Sequence, residues 1–355
     1  MSPAHVLDRY YLSITLLVTI AYQLLGFAIA WTFQFDKITD FTGGSNFFII
    51  ALLTLLMGNT FYARNIVASV LVMIWATRLA GFLLFRVLKT GSDTRFDEFR
   101  SHFFKFLAFW IGQILWVWTV SLPLTILNSP AVSDPSLGGS NSSFGTGCDI
   151  AGVILWGIGW FIETTADAQK FRYKASNPPK DRPMNTGVWR WSRHPPYFGE
   201  ILCWWGIWIL CLSPTANGDL SSGARKAQYA SVLSPIFTTL LLMFASGIPT
   251  AEKPTGRKYY LMSHSSSSPF TSPPSSASAL PANPPYPDAW KKYQSYLHST
   301  SILIPIHPKL YRPLPRWIKR TVLLDFPIYG FDEHDGQKAL EEEGKKKANG
   351  GDRSD

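Results

Sequence analysis

Apolar residues fall into blocks along residues 10–248, and short polar or Gly/Pro-rich stretches punctuate them. Residues 10–31 supply about 20 apolar positions, enough for a helix to cross a hydrocarbon core of about 30 Å. Residues 45–57 form a shorter run that stops at Gly58-Asn59. Further runs cover 66–84, 103–127, 150–162, 197–212 and 232–248. The pattern predicts an all-α, multi-pass integral membrane bundle of about seven transmembrane helices. The first run is expected to stay in place as a span rather than act as a cleaved leader.

The polar connections carry an orientation signal. The turn 86–105 holds Arg86, Lys89, Arg95, Arg100 and Lys105, and 164–196 is richer in Lys and Arg still. The loop 128–148 has neither residue and holds one sequon, Asn141-Ser142-Ser143; 59–65 has only Arg64. Rich and poor loops alternate, which predicts an outside N-terminus and a cytosolic C-terminus. Residues 263–287 are dominated by Ser and Pro, a composition unable to bury enough apolar surface to offset ordering, so a disordered insertion is expected there. Pattern returns at 289–305, and the chain ends in a charged stretch, EEEGKKK and beyond. The expected divisions are N-terminal helices at 1–60, a core membrane domain at 61–260, the insertion at 261–288, the rest of the core at 289–330 and a charged disordered tail at 331–355.

Composition agrees with this division. Of 355 residues, 46% are hydrophobic and only 16% charged, against roughly 25% charged in soluble domains. The net charge of +9 sits between and after the apolar blocks, where it can meet anionic lipid or an anionic cofactor. No basic groove motif points to nucleic acid. Cys148, Cys203 and Cys211 form no CxxC pair, and the histidines have no metal-ligand spacing, so no metal is expected. GxSxG, P-loop and GxGxxG motifs are lacking, against an α/β-hydrolase or a soluble Rossmann domain.

The densest chemistry lies in 187–200, GVWRWSRHPPYFGE. Pro195 and Pro196 fix a helix start, because proline fits a first turn and pushes its predecessor extended. Arg193 and His194 then stand at a helix mouth that attracts anions, and Tyr197, Glu200 and Trp204 follow along one helical face. A phosphate site and an interfacial Trp/Tyr/Arg anchor both fit this pattern. Upstream, Glu163, Asp167, Lys170 and Lys174 share a helical face, as either a surface ladder of ion pairs or, with Arg172, a phosphate grip. Arg78 within a span must pair or snorkel; Asp93, Arg95 and Phe96 surround the following turn. Gln113 reads as interhelical glue.

The 187–200 stretch resembles the GLWxYSRHPNYFGE signature of the DUF1295 membrane proteins. Those are related to the C-terminal domain of steroid 5-alpha-reductases and, more distantly, to sterol C14-reductases and isoprenylcysteine methyltransferases. Supporting pieces are WATRLAGFLLFR with DTRFD (75–97), the Leu122-Pro123 pair with Asn128, 159–170, SGIPTAEK (246–253) and KYQSYLHSTSILIP (292–305), so the likeness covers about 60–305. It implies a helical membrane enzyme of the endoplasmic reticulum that uses NADPH to reduce a carbon–carbon double bond of a lipid or sterol-like substrate. Carried over, the cofactor-binding positions are Gln169, Lys170, Arg172, Arg193, His194, Tyr197, Glu200, Glu252, Tyr293 and Tyr296. Tyr197 and Glu200 are also the catalytic candidates. Pro196 replaces the family's Asn, so an amide contact would be missing. A methyltransferase using S-adenosylmethionine, which shares the RHPxYxG core, and a non-catalytic lipid-binding scaffold are the competing expectations.

Overall fold

The computed structural model describes residues 4–59, 61–90, 101–140, 143–265 and 286–350. The helices are α1 (Leu12–Thr32), α2 (Thr39–Gly58), α3 (Ala63–Thr90), α4 (Phe103–Leu127), α5 (Pro130–Ser133), α6 (Gly147–Ala175) and α7 (Pro195–Cys211). They continue as α8 (Ser213–Asn217), α9 (Ser222–Ala230), α10 (Leu233–Leu240), α11 (Ile248–His264) and α12 (Ala289–Ser299). The last three are α13 (Pro308–Tyr311), α14 (Arg316–Thr321) and α15 (Glu333–Gly350). Among the described residues no strand forms; extended pairing is limited to one isolated parallel bridge, Ser192 with Ser301.

Seven helical stretches are long and apolar enough to cross a membrane, and they coincide with the seven apolar blocks. The chain is a multi-pass membrane protein. The second span starts earlier than the apolar pattern implies, at Thr39 rather than near Ser45. Gly43 and Gly44 obscure the start, because glycine favours coil. Tertiary contact overrides that preference: a Cβ at Gly44 would sit 3.1 Å from Ala80, and one at Gly43 would sit 3.1 Å from the Gln113 amide.

The chain divides into two compact units, 1–160 with 201–239, and 161–200 with 240–355. The first contains a core of edge-packed aromatics. Phe47 meets Trp75 at 5.3 Å, and Trp75 meets Trp204 at 5.0 Å. Gly152 and Gly206 bring α6 and α7 to backbone contact, since a Cβ on either would fall within 2.7 Å of the facing helix; small residues allow this approach where lipid supplies no hydrophobic drive. Asn128 proves structural: its amide donates to Thr54 and Ser69 and accepts from Asn65. Gln113 donates to the Thr39 carbonyl, the interhelical role expected of it. Buried Arg64 forks onto Asp149 at 2.7 and 2.9 Å. Arg78 is half-buried on α3 and has interaction partners.

The second unit joins the end of α6, the start of α7, and α11 to α15. The two ends of the Ser/Pro-rich insertion meet: the Ser263 hydroxyl donates to the Tyr286 carbonyl at 3.2 Å and accepts from the Trp290 N–H at 2.7 Å. The insertion itself falls at 266–285, outside the described residues, as do Asp93, Arg95, Phe96 and the sequon residues Asn141 and Ser142. The tail departs from expectation. Residues 333–350 are helical, and the start of α15 is pinned by Trp290 and Gln294, which both donate to Glu333. Gly336 lets α15 lie against the Tyr260 ring, where a Cβ would come within 2.5 Å. That contact is invisible in a local charge pattern.

Candidate functional site

The site is built on the extended segment that precedes α7. The Arg193 N–H donates to the Ser301 carbonyl at 2.8 Å, and the His194 N–H donates to that of Ile302 at 3.1 Å. The Ser192 hydroxyl adds a bond to the Leu303 carbonyl at 2.7 Å. Thus 300–305 serves as the backing strip of the signature. Proline at 195 demands this extended approach, and the strip satisfies the polar backbone it exposes.

Arg193 is the hub. Its side chain is 6% exposed, with Nη1 3.3 Å from Glu252 Oε2 and Nη2 2.8 Å from Asp325 Oδ1. His194 Nε2 meets the other Glu252 oxygen at 2.7 Å, and its ring stacks on Tyr197 with centroids 5.3 Å apart. Tyr293 lines the same cavity as Glu252. Asp325 is held from the far side by the Tyr311 hydroxyl, which donates at 2.8 Å. It follows Leu324, whose φ of 59° lies in the left-handed region, an uncommon state for a bulky residue that the surroundings must enforce.

Burial alone would lower the Arg193 pKa, but the Glu252 and Asp325 carboxylates outweigh it and hold the guanidinium charged. Burial lowers the pKa of His194 and, although the Glu252 hydrogen bond opposes it, the imidazole is neutral at pH 7. Its Nε2–H then donates to Glu252. Burial pushes Tyr293 and Tyr311 above the usual phenol value, with Glu252 and Asp325 adding to the effect. Tyr329 is pushed up to about 12 by burial and by Asp325.

Arg193, Glu252 and Tyr293 line a cavity of about 550 Å³, within the usual range for small-molecule sites. Its remaining wall comes from 297–331. Arg312, Arg316, Lys319 and Arg320 join Arg193, so five cations face two carboxylates, Glu252 and Asp325. Lys319 lies 4.3 Å from the Tyr311 ring centroid. Two polar atoms of lining residues, Arg193 Nε and the Tyr329 hydroxyl, are buried without a hydrogen-bond partner. Such orphans are costly.

The remaining expected positions divide into supports and outliers. Gln169 supports the signature turn: its Oε1 accepts from the Val188 N–H at 3.0 Å, under Gly187 at φ +56°. A Cβ at Gly187 would lie 2.3 Å from that oxygen, so this turn requires glycine. Lys170 covers the Trp189 ring at 4.9 Å, and Tyr296 donates to the Trp189 carbonyl at 2.9 Å. His194 and Tyr296 stand behind the cavity wall. Arg172 is exposed on α6, and Tyr197 and Glu200 are half-buried on α7; none of the three lines the cavity. The helix mouth is a poorer anion cradle than the sequence implies. Pro195 and Pro196 carry no N–H, and that of His194 is given to Ile302.

The sequence reading did not include Asp325, Tyr311, Tyr329 or the cations of 312–320. Their signal is compositional: 309–320, KLYRPLPRWIKR, has five cations and no acid.

The model of the family described as "Protein of unknown function (DUF1295)" matches residues 26–264, about two thirds of the chain. No curated protein and no solved structure matches. The matched region includes Arg193, His194 and Glu252 and ends before Tyr293, Tyr296 and the cationic part of the cavity wall.

Proposed function

The chain belongs to the DUF1295 family, and on that premise we propose that it is a membrane-embedded reductase using NADPH to saturate a carbon–carbon double bond in a lipid or steroid-like substrate. One observation carries the reading: Arg193 of the signature and Glu252 of the SGIPTAEK piece stand in the wall of a cavity whose other charged groups are mostly cations. A cofactor bearing several phosphates fits that surplus of charge.

NADPH, when bound, supplies the hydride. The chain's own groups bind and orient. Arg193, kept cationic by its two carboxylates, offers a fixed positive charge at the cavity wall. Arg312, Arg316 and Arg320, which are exposed, offer mobile charge to phosphate. Glu252 fixes both Arg193 and His194, so it acts as a positioning residue. Tyr329 keeps its proton throughout the physiological range. Tyr197, stacked on His194, and Glu200 lie outside the cavity wall, which moves the proton-donor role toward the cavity tyrosines. The Lys/Arg distribution supports a cytosolic C-terminus, and the family resemblance supports the endoplasmic reticulum.

The experiment is to incubate the full-length protein in detergent micelles with NADPH and a lipid extract from a strain lacking it. Consumption of NADPH with a lipid gaining two hydrogens by mass spectrometry is expected. A lipid that instead gains a methyl group from S-adenosylmethionine would replace the reading with a methyltransferase. A cation-lined cavity disfavours that outcome, because the methyl donor is a sulfonium cation. No turnover of either kind would leave the scaffold.

A further inference from the structure

Beyond the cavity, residues 307–331 carry a second feature. They follow the last of the seven spans, which ends at His264, yet they expose large apolar side chains. Leu310 is 67% exposed, Trp317 65%, Val322 61% and Ile328 55%. Chain flexibility does not account for this exposure, because the segment is held down. Tyr311, Leu323 and Tyr329 are buried at 1%, 6% and 2%, the Asp325 N–H donates to the Lys319 carbonyl at 2.9 Å, and the Leu323 N–H donates to that of Ile318 at 3.1 Å. The backbone is therefore fixed with four apolar groups turned to the outside.

The charges identify what covers them. Lys309, Arg312, Arg316, Lys319 and Arg320 are interleaved with the apolar positions. Asp325 is the sole acid in 307–331, and it is consumed by Arg193 and Tyr311. Exposed apolar groups among a surplus of cations suit neither water nor an ordinary protein interface, whose apolar core is depleted of lysine. They suit the headgroup layer of a bilayer. There tryptophan and aliphatic tips enter the acyl boundary while Lys and Arg reach anionic headgroups.

We propose that residues 307–328 form an interfacial membrane-docking surface that prefers anionic lipid. The partner is the lipid headgroup layer, with Leu310, Trp317, Val322 and Ile328 inserted and the five cations engaging phosphate or serine carboxylate. The four apolar residues and Lys309 lie outside the cavity wall, whereas Arg312, Arg316, Lys319 and Arg320 belong to it, so the docking surface and the cofactor reading share those four cations and are separated by the apolar residues and Lys309.

The test uses full-length protein in vesicles of phosphatidylcholine alone or mixed with phosphatidylserine. A nitroxide is placed on a single cysteine at position 310, 317, 322 or 328 in turn, with Cys148, Cys203 and Cys211 replaced by Ala. Electron paramagnetic resonance then compares collisions with oxygen, which partitions into lipid, and with a nickel chelate, which stays in water. The expected result is lipid-like accessibility at all four positions, greater with phosphatidylserine. Lys309→Gln should weaken the serine-lipid preference by about fivefold, the effect of one basic residue at an anionic surface. Water-like accessibility in both vesicles would overturn the proposal. Dipolar broadening between labels would overturn it too, since it would show a second copy covering the patch. Neither result depends on NADPH binding.

Discussion

Arg193→Met makes the sharpest test of how the site is held together. The side chain is 6% exposed and bridges Glu252 and Asp325. Removing one partner of a buried ion pair costs about 3–5 kcal/mol, because it strands the other charge. Here the lower end is expected, about 3 kcal/mol. Glu252 keeps His194 at 2.7 Å, and Asp325, 24% exposed, keeps Tyr311 and some water. Glu252→Gln should cost less, roughly 1–2 kcal/mol: the amide oxygen still accepts from His194, and Arg193 retains Asp325. The double variant should then lose less than the two single losses together, by about 1–3 kcal/mol, the coupling typical of groups in one network. The assay is unfolding in mixed detergent micelles, followed by tryptophan fluorescence, for wild type, both singles and the double. Additive losses, or an Arg193→Met protein as stable as wild type, would refute the ion-pair account.

Three further outcomes follow from the same geometry. His194 has a folded pKa depressed below its ordinary value of 6.5, so the unfolded chain takes up the proton first. Its contribution to stability is complete above about pH 6.5 and is lost as pH falls from there toward the folded value; His194→Gln should flatten that part of the stability profile. Tyr329→Phe, which deletes a buried hydroxyl with no protein partner, should leave stability in the same unfolding assay unchanged or raised, because no hydrogen bond is lost. Gly187→Ala should destabilise by at least about 1–2 kcal/mol from its left-handed backbone alone and should displace Gln169, detectable as faster amide exchange at Val188.

Apolar blocks made the seven spans readable, since a bilayer imposes length and composition directly. The start of α2 was not readable, because Gly43 and Gly44 are helical only by virtue of Ala80 and Gln113 across the interface. Arg193 and His194 were legible through the signature and Glu252 through the SGIPTAEK piece, and the structure brings them within hydrogen-bonding or ion-pairing distance. Their local role was not legible. The motif looks like a helix mouth gripping phosphate, but its two prolines and the His194–Ile302 bond remove the donors, and the guanidinium turns to two acids distant in sequence. Gln169 and Lys170 were expected to face a ligand and instead brace the Gly187–Arg190 turn. Asp325 and Tyr329 carry no motif. Their significance comes from tertiary placement beside Arg193, which charge counting along 309–320 only hints at.

The central claim is that this cationic cavity holds NADPH through Arg193. The direct measurement is a calorimetric titration of NADPH into the full-length protein in detergent micelles, with Arg193→Ala and Arg193→Lys proteins matched for folded fraction. The account predicts saturable binding by wild type, reduced at least about tenfold in Arg193→Ala, as expected for a lost charge-assisted hydrogen bond, and partly restored in Arg193→Lys. Absence of saturable binding by wild type, or equal affinity in wild type and Arg193→Ala, would contradict it.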